Sequence, residues 1–191
     1  LAEVAGLVEW PVVLMGEKEA KRRGLEPLGY IRDFAYASLE PERMGLGPVY
    51  ATSRLMDKVK FSMSDIEYLE INEAFAAQVI ACERASDSDA FAREFLGRDR
   101  KIGAFNRDIM NLQGGAIAIG HPVGMTGTRI ILHTLRELRR QNRSTGLATL
   151  CVGGGQGGVV GCHWRPSLAS AALHIVSGAA QGDAVGGAAE G

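Results

Sequence analysis

Disulfide bonds, metal-ligand clusters and strong charge are what this sequence has least of. Its 191 residues include three cysteines, Cys82, Cys151 and Cys162, and no two of them form a CxxC pair. An odd and scattered set excludes a disulfide framework and fits a reducing compartment, so a cytoplasmic location is expected. His163 and His174 stand at no metal-like spacing with Cys, Asp or Glu, and no zinc site is assigned. A formal net charge of −1 leaves no broad basic face for nucleic acid. No apolar run is long enough to span a membrane, and Val8–Met15 carries Glu9 without the basic lead-in of a signal peptide. Internal repeats at solenoid spacing are absent. The chain begins at Leu1 rather than methionine, and a fragment or processed product is expected.

What is present describes an ordinary globular protein. Hydrophobic residues make up 46% of the chain and mean hydropathy is +0.01, enough for one good core or two small ones. The basic run Arg136, Arg139, Arg140 and Arg143 sits where a helix should end, complementing its dipole.

Periodicity predicts strands at Val12–Met15, Tyr30–Leu39, Tyr68–Ile71, Leu147–Val152 and Val159–Trp164. Helices are expected at Glu17–Arg23, Val49–Lys60, Glu73–Arg84 and Met125–Arg140, with a helical piece at Phe91–Leu96. Glycine and proline make Pro41–Pro48 a loop, and Asn72 stands where an N-cap belongs. Strands alternating with helices define an α/β class. Three segments follow: 1–26, 27–165, and an Ala/Gly/Ser-rich tail over 166–191 without period, expected to be disordered or foreign.

Three places carry chemistry. In the first, His121-Pro122-Val123-Gly124 follows a glycine-dense stretch, Asn111 to Gly120, and precedes a helix start with its unpaired N–H groups. That is a place to hold a reactive carbonyl, or simply a tight turn. In the second, Cys151 ends an apolar strand and enters Gly153-Gly-Gly-Gln-Gly-Gly158. It is either a buried structural thiol or one that exchanges a proton with substrate, its pKa lowered by nearby glycine N–H groups. In the third, Asn72 either caps a helix or holds a catalytic water. Gly153–Gly158 also fits GxGxxG, but a strand follows it and Asp183 lies in the tail, so a dinucleotide site is weakly supported. Gly120–Gly127 carries no GK[ST] and is no Walker loop. His133 and Cys82 read as interior residues of their helices.

Taken together and in this order, the segments resemble the C-terminal half of a thiolase (acetyl-CoA acyltransferase). Asn72-Glu-Ala-Phe-Ala76 resembles that family's NEAFA block. Asn111 through His121 to Arg129 resembles its glycine–histidine block, and Cys151-Val-Gly-Gly-Gly155 its terminal CxGGG block. The likeness covers about Val12 to Val160.

The resemblance implies a thiolase-type C-terminal domain, a mixed sheet with helices on its faces, half of an αβαβα architecture. Residues 1–26 would end the N-terminal thiolase domain, the expected partner. The implied activity is thiolytic cleavage of 3-oxoacyl-CoA, or the reverse Claisen condensation with acetyl-CoA. Cys151 would move the α-proton. His121 would activate a nucleophilic cysteine and donate to an oxyanion hole, and Asn72 would hold the water completing that hole. The Gly153 N–H would bind an acyl-enzyme oxygen, while Met44, Ala74 and Phe75 would bind the acyl or pantetheine chain. No cofactor is implied beyond coenzyme A thioesters as substrates, and a homo-oligomer is expected of the complete protein. Nothing here matches the family's nucleophilic cysteine, which lies in the N-terminal half, so the chain alone is expected to lack covalent catalysis. Leu1–Trp10 and the stretch from Cys162 onward fit the family poorly. The alternative is a non-catalytic truncated fragment, or a CoA-binding and assembly module.

Overall fold

A computed structural model describes residues 12–164 and 173–177. The poorly matching Leu1–Trp10 and all of 166–191 except 173–177 lie outside the described residues. The elements run β1 (Val12–Gly16), α1 (Glu17–Arg22), β2 (Gly29–Ser38), α2 (Gly47–Val59) and β3 (Tyr68–Ile71). They continue with α3 (Ala76–Ser86), α4 (Ala116–Ile119), α5 (Val123–Arg140), β4 (Thr145–Val152), β5 (Gln156–His163) and β6 (Leu173–Ser177). The six strands form one sheet in the order β1-β6-β2-β5-β4-β3. Only β3 and β4 run parallel, and every other pairing is antiparallel. The sheet is therefore mixed, as expected. Strand β6 falls inside the stretch read as disordered or foreign, and it pairs antiparallel with β1 and β2.

Helices cover both faces, and strand alternation decides which side chain meets which helix. Along β3, Leu69 and Ile71 join Val49, Leu55, Met56, Val79 and Leu147 in the core under α2 and α3. Tyr68 points the other way, into a second core with Leu132, Leu135 and Leu138 of α5. Burying Leu55, Leu69, Leu135, Leu138 and Leu147 completely contributes on the order of 1.5–3 kcal/mol each.

Two departures from the sequence expectations bear on the site. Pro41–Leu46 forms a 3₁₀ helix leading straight into α2, where a loop was expected. Gly47 opens α2 against the β5 backbone: a Cβ there would run into Gln156 O, and one at Gly157 into the Gly47 carbonyl. The second correction concerns Asn72. Helix α3 begins at Ala76 with Phe75 as its N-cap residue, so Asn72 caps nothing. Its N–H instead extends the β3–β4 ladder to Thr149 O at 2.9 Å. The next residue, Glu73, is drawn away from a helical start by partners in a distant loop.

Candidate active site

Parallel strands β3 and β4 run in the same direction, with Ile71 opposite Thr149 and β4 continuing to Val152, and this brings Asn72 and Cys151 to the same end of the sheet. Helix α5 carries His121 to that end. Its 18 residues span about 27 Å and the eight of β4 about 26 Å. A short turn joins them, so the helix start lies level with the strand end. The packing agrees: a Cβ on Gly146, at the beginning of β4, would strike Thr134 and Leu138 in the second half of α5. Active sites of α/β sheets favour this position, beyond the carboxyl ends of parallel strands.

Asn72 is 1% exposed, and neither its Nδ2 nor its Oδ1 has a hydrogen-bond partner among the described residues. Burying an unpaired amide costs about 1–3 kcal/mol, so such a group marks either strain or a ligand-facing function. Cys151 is also buried, at the end of β4 opposite Gly157 of β5. Burial pushes its thiol pKa up, with its own backbone N–H opposing. The lowered value allowed by the proton-exchange reading is not found, because desolvation outweighs the thiol's own backbone N–H.

The other two thiols are inert packing. Cys82 donates to Gly45 O at 3.2 Å and accepts from Gln78 Nε2 at 3.4 Å, and burial raises it to about 12. Burial takes Cys162 to about 12 as well. Interior readings of Cys82 and His133 fit this geometry, since His133 Nδ1 lies 2.9 Å from buried Glu70.

The turn from β4 to β5 holds three glycines with different reasons to be there. Gly154 and Gly155 have φ of +85° and +82°, and a Cβ on Gly155 would collide with Leu39 O. Gly153 has neither constraint: its φ is not positive, and nothing lies within 4 Å of where its Cβ would be. The fold does not require glycine at 153, and its backbone is open to a close-approaching ligand. Phe75 is 66% exposed beside the site, with Ala74 and Met44 partly buried.

A further set of residues, unremarked as functional in the sequence, holds the His121 loop. Asn111 takes a left-handed φ of +49°, and its side chain pairs with both backbone groups of Ile71, like one residue of an extra strand. Its Nδ2 also donates to Glu73 Oε1 at 2.8 Å. Glu73 Oε2 accepts the Ile117 N–H at 3.0 Å, at the start of α4. The carboxylate next to Asn72 thus ties the segment after β3 to the loop before His121. Arg129 donates to Gly120 O at 2.7 Å, and Thr126 Oγ1 lies 2.7 Å from His121 Nδ1. The signal available was position alone, since all four lie inside the quoted blocks.

Fold and edge geometry define a domain that brings a thiol, an imidazole and an unpaired amide to the ends of parallel strands. The family profile described as "Thiolase, C-terminal domain" matches residues 25–162, and the chain belongs to that family. It is 48% identical over 147 residues to the 3-ketoacyl-CoA thiolase of Aliivibrio fischeri (strain MJ11), covering 76% of this chain and 33% of the relative. The 3-ketoacyl-CoA thiolase of Serratia proteamaculans is 45% identical over 147 residues, covering 76% of this chain and 34% of that one. Among solved structures, Bacillus anthracis acetyl-CoA acetyltransferase gives a TM-score of 0.67 at 37% identity, over 79% of this chain and 34% of that one. Human mitochondrial 3-ketoacyl-CoA thiolase in complex with CoA gives 0.67 at 35%, over 78% and 34%. The chain therefore spans about a third of the length of the relatives it matches.

Proposed function

We propose that this chain supplies the enolate-handling part of a thiolase active site. Joined to an N-terminal thiolase half, it would cleave 3-oxoacyl-CoA with coenzyme A, or run the Claisen condensation in reverse. The observation that carries this is Asn72, a fully buried amide without a partner among the described residues, at the same end of the sheet as Cys151.

In thiolysis a cysteine thiolate of the N-terminal half attacks the 3-keto carbon, His121 having taken its proton. The C2–C3 bond breaks, and its electron pair leaves with acetyl-CoA as an enolate. Cys151 gives its S–H proton to that carbon. Coenzyme A then attacks the acyl-enzyme, its thiol proton passes to Cys151, and the nucleophilic cysteine leaves as a thiolate that His121 reprotonates. Thiolysis starts from the protonated form of Cys151, and burial of this thiol favours that form at neutral pH. The enolate oxygen would lie between His121, exposed in this chain, and a water held by Asn72, fixed donors that the N-terminal half would close off from bulk solvent. The Gly153 N–H would face the acyl-enzyme carbonyl oxygen, where its open surroundings allow approach.

Phe75, Ile117, Ile119 and Val123 are 56–78% exposed around the His121 loop. That many large apolar side chains in one region fit an interface, and here the N-terminal half is the occupant proposed. The complete protein would be an oligomer acting on CoA thioesters without a further cofactor.

The test is a chimera in which this chain replaces the C-terminal domain of the Aliivibrio fischeri relative. Thiolysis of 3-oxoacyl-CoA is expected, and His121→Ala or Asn72→Ala should each slow it roughly 100- to 1,000-fold. A folded chimera that is inactive, or one indifferent to both substitutions, would refute the assignment.

A further inference from the structure

The contacts of one hydroxyl bear on which ring nitrogen of His121 carries the proton. Thr126 lies in the first turns of α5 and is fully buried, so its Oγ1 is cut off from solvent. It has two polar neighbours: Pro122 O at 3.0 Å and His121 Nδ1 at 2.7 Å. A carbonyl oxygen has no proton to give, so the first contact is a hydrogen bond only when the hydroxyl donates to it. The hydroxyl has a single proton. With that proton on the Pro122 side, Oγ1 can only accept from the ring, and Nδ1 must be the N–H. The other arrangement would aim the hydroxyl at Nδ1 and leave two oxygens 3.0 Å apart with no proton between them, which is repulsive.

We infer that Thr126 is a positioning residue that fixes neutral His121 as the Nδ1–H tautomer, leaving the Nε2 lone pair free at the sheet edge. Arg129 supports the same geometry by holding Gly120 O, the carbonyl immediately before the histidine. The use of this tautomer rests on the proposed function. A neutral Nε2 can accept the proton of a thiol, and after doing so it becomes an Nε2–H donor for an enolate oxygen. One nitrogen then performs both tasks in sequence, without a ring flip. The Nε2–H tautomer could donate but could not first act as the base at that atom.

The experiment uses the 191-residue chain itself and needs no turnover. Long-range ¹H–¹⁵N NMR at about pH 8.5, where free imidazole is neutral, distinguishes a protonated from an unprotonated ring nitrogen. Among the four histidines, the His121 signals are those lost in His121→Gln. The wild-type ring should show a protonated Nδ1 and a bare Nε2. In Thr126→Val, which keeps the shape and removes the hydroxyl, the Nδ1–H to Nε2–H ratio should fall roughly five- to tenfold. Thr126→Ser should restore it. An Nε2–H ring in the wild type overturns the assignment, and an unchanged ratio in Thr126→Val overturns the role of Thr126. If Thr126→Val does not fold, Thr126→Ala is read in the same way, and the wild-type ring decides the tautomer by itself. A wrong tautomer would leave the thiolase reading intact, because that reading stands or falls on the activity of the chimera and its response to His121→Ala and Asn72→Ala.

Discussion

Stability and activity should pull apart at Asn72. Its amide is buried with no partner among the described residues, so replacing it with an apolar group of the same shape removes a desolvation cost and none of the described hydrogen bonds. Asn72→Leu is therefore expected to raise the unfolding free energy of the chain by roughly 1–3 kcal/mol in urea denaturation. In the chimera the same change should slow thiolysis at least 100-fold, the cost of losing one oxyanion donor. A residue kept for packing would lose stability instead. Gly153 offers a related contrast with Gly155. Gly153→Ala meets open space and should leave stability within about 0.5 kcal/mol, whereas Gly155→Ala strains a positive φ and strikes Leu39 O.

Elements reach the site through the clasp of Glu73, Asn111 and Ile117, and this too can be tested by stability. A Cβ on Gly115 would overlap the Glu73 carboxylate, although the Gly115 backbone is extended and open to any residue. Gly115→Ala should therefore cost about 2 kcal/mol in the wild type and much less in a Glu73→Ala background. A double-mutant cycle by chemical denaturation should show coupling of about 1–2 kcal/mol; additive effects would mean the clasp does not hold the loop. The same clasp explains what sequence patterning could and could not read. Strands β2 to β5 were legible to within two or three residues at each end, because their apolar and β-branched runs meet the sheet directly. Helix α5 was legible from its apolar face. The start of α3 was not, since Glu73 answers to partners 38 and 44 residues away rather than to its neighbours. The three-residue contact set of Thr126 was equally invisible: His121, Pro122 and Thr126 are close in sequence, but nothing in residue type says which way a ring turns.

Across the whole molecule, α5 is pinned to β3 by a buried polar group that makes stability depend on pH. Glu70 accepts from Tyr68 at 2.6 Å and lies 2.9 Å from His133 Nδ1, with Glu137 and Arg129 also acting on the ring. The Glu70 hydrogen bond raises the His133 pKa, against a smaller effect of burial. A raised folded pKa means the contribution is complete below the ordinary value of 6.5 and is lost as pH climbs through the folded value. His163 works in the opposite sense: burial, aided by Arg32, lowers its pKa, so its contribution is present above 6.5 and lost on acidification. Comparing wild type with His133→Gln isolates the first effect. The stability gap between them should be widest near about pH 5.5 and shrink toward about pH 8.5 in urea melts. A gap that grows with pH would contradict the pairing.

At this scale the central claim is that one third of a thiolase holds the residues that make and quench an enolate, with Cys151 as the acid/base. The most direct measurement is exchange of the acetyl α-protons of acetyl-CoA for deuterium by the chimera, alongside acylation of its nucleophilic cysteine. Cys151→Ala is expected to acylate at a measurable rate and to exchange no α-protons above background. Exchange at the unmodified rate in Cys151→Ala would place the base elsewhere and contradict the central claim.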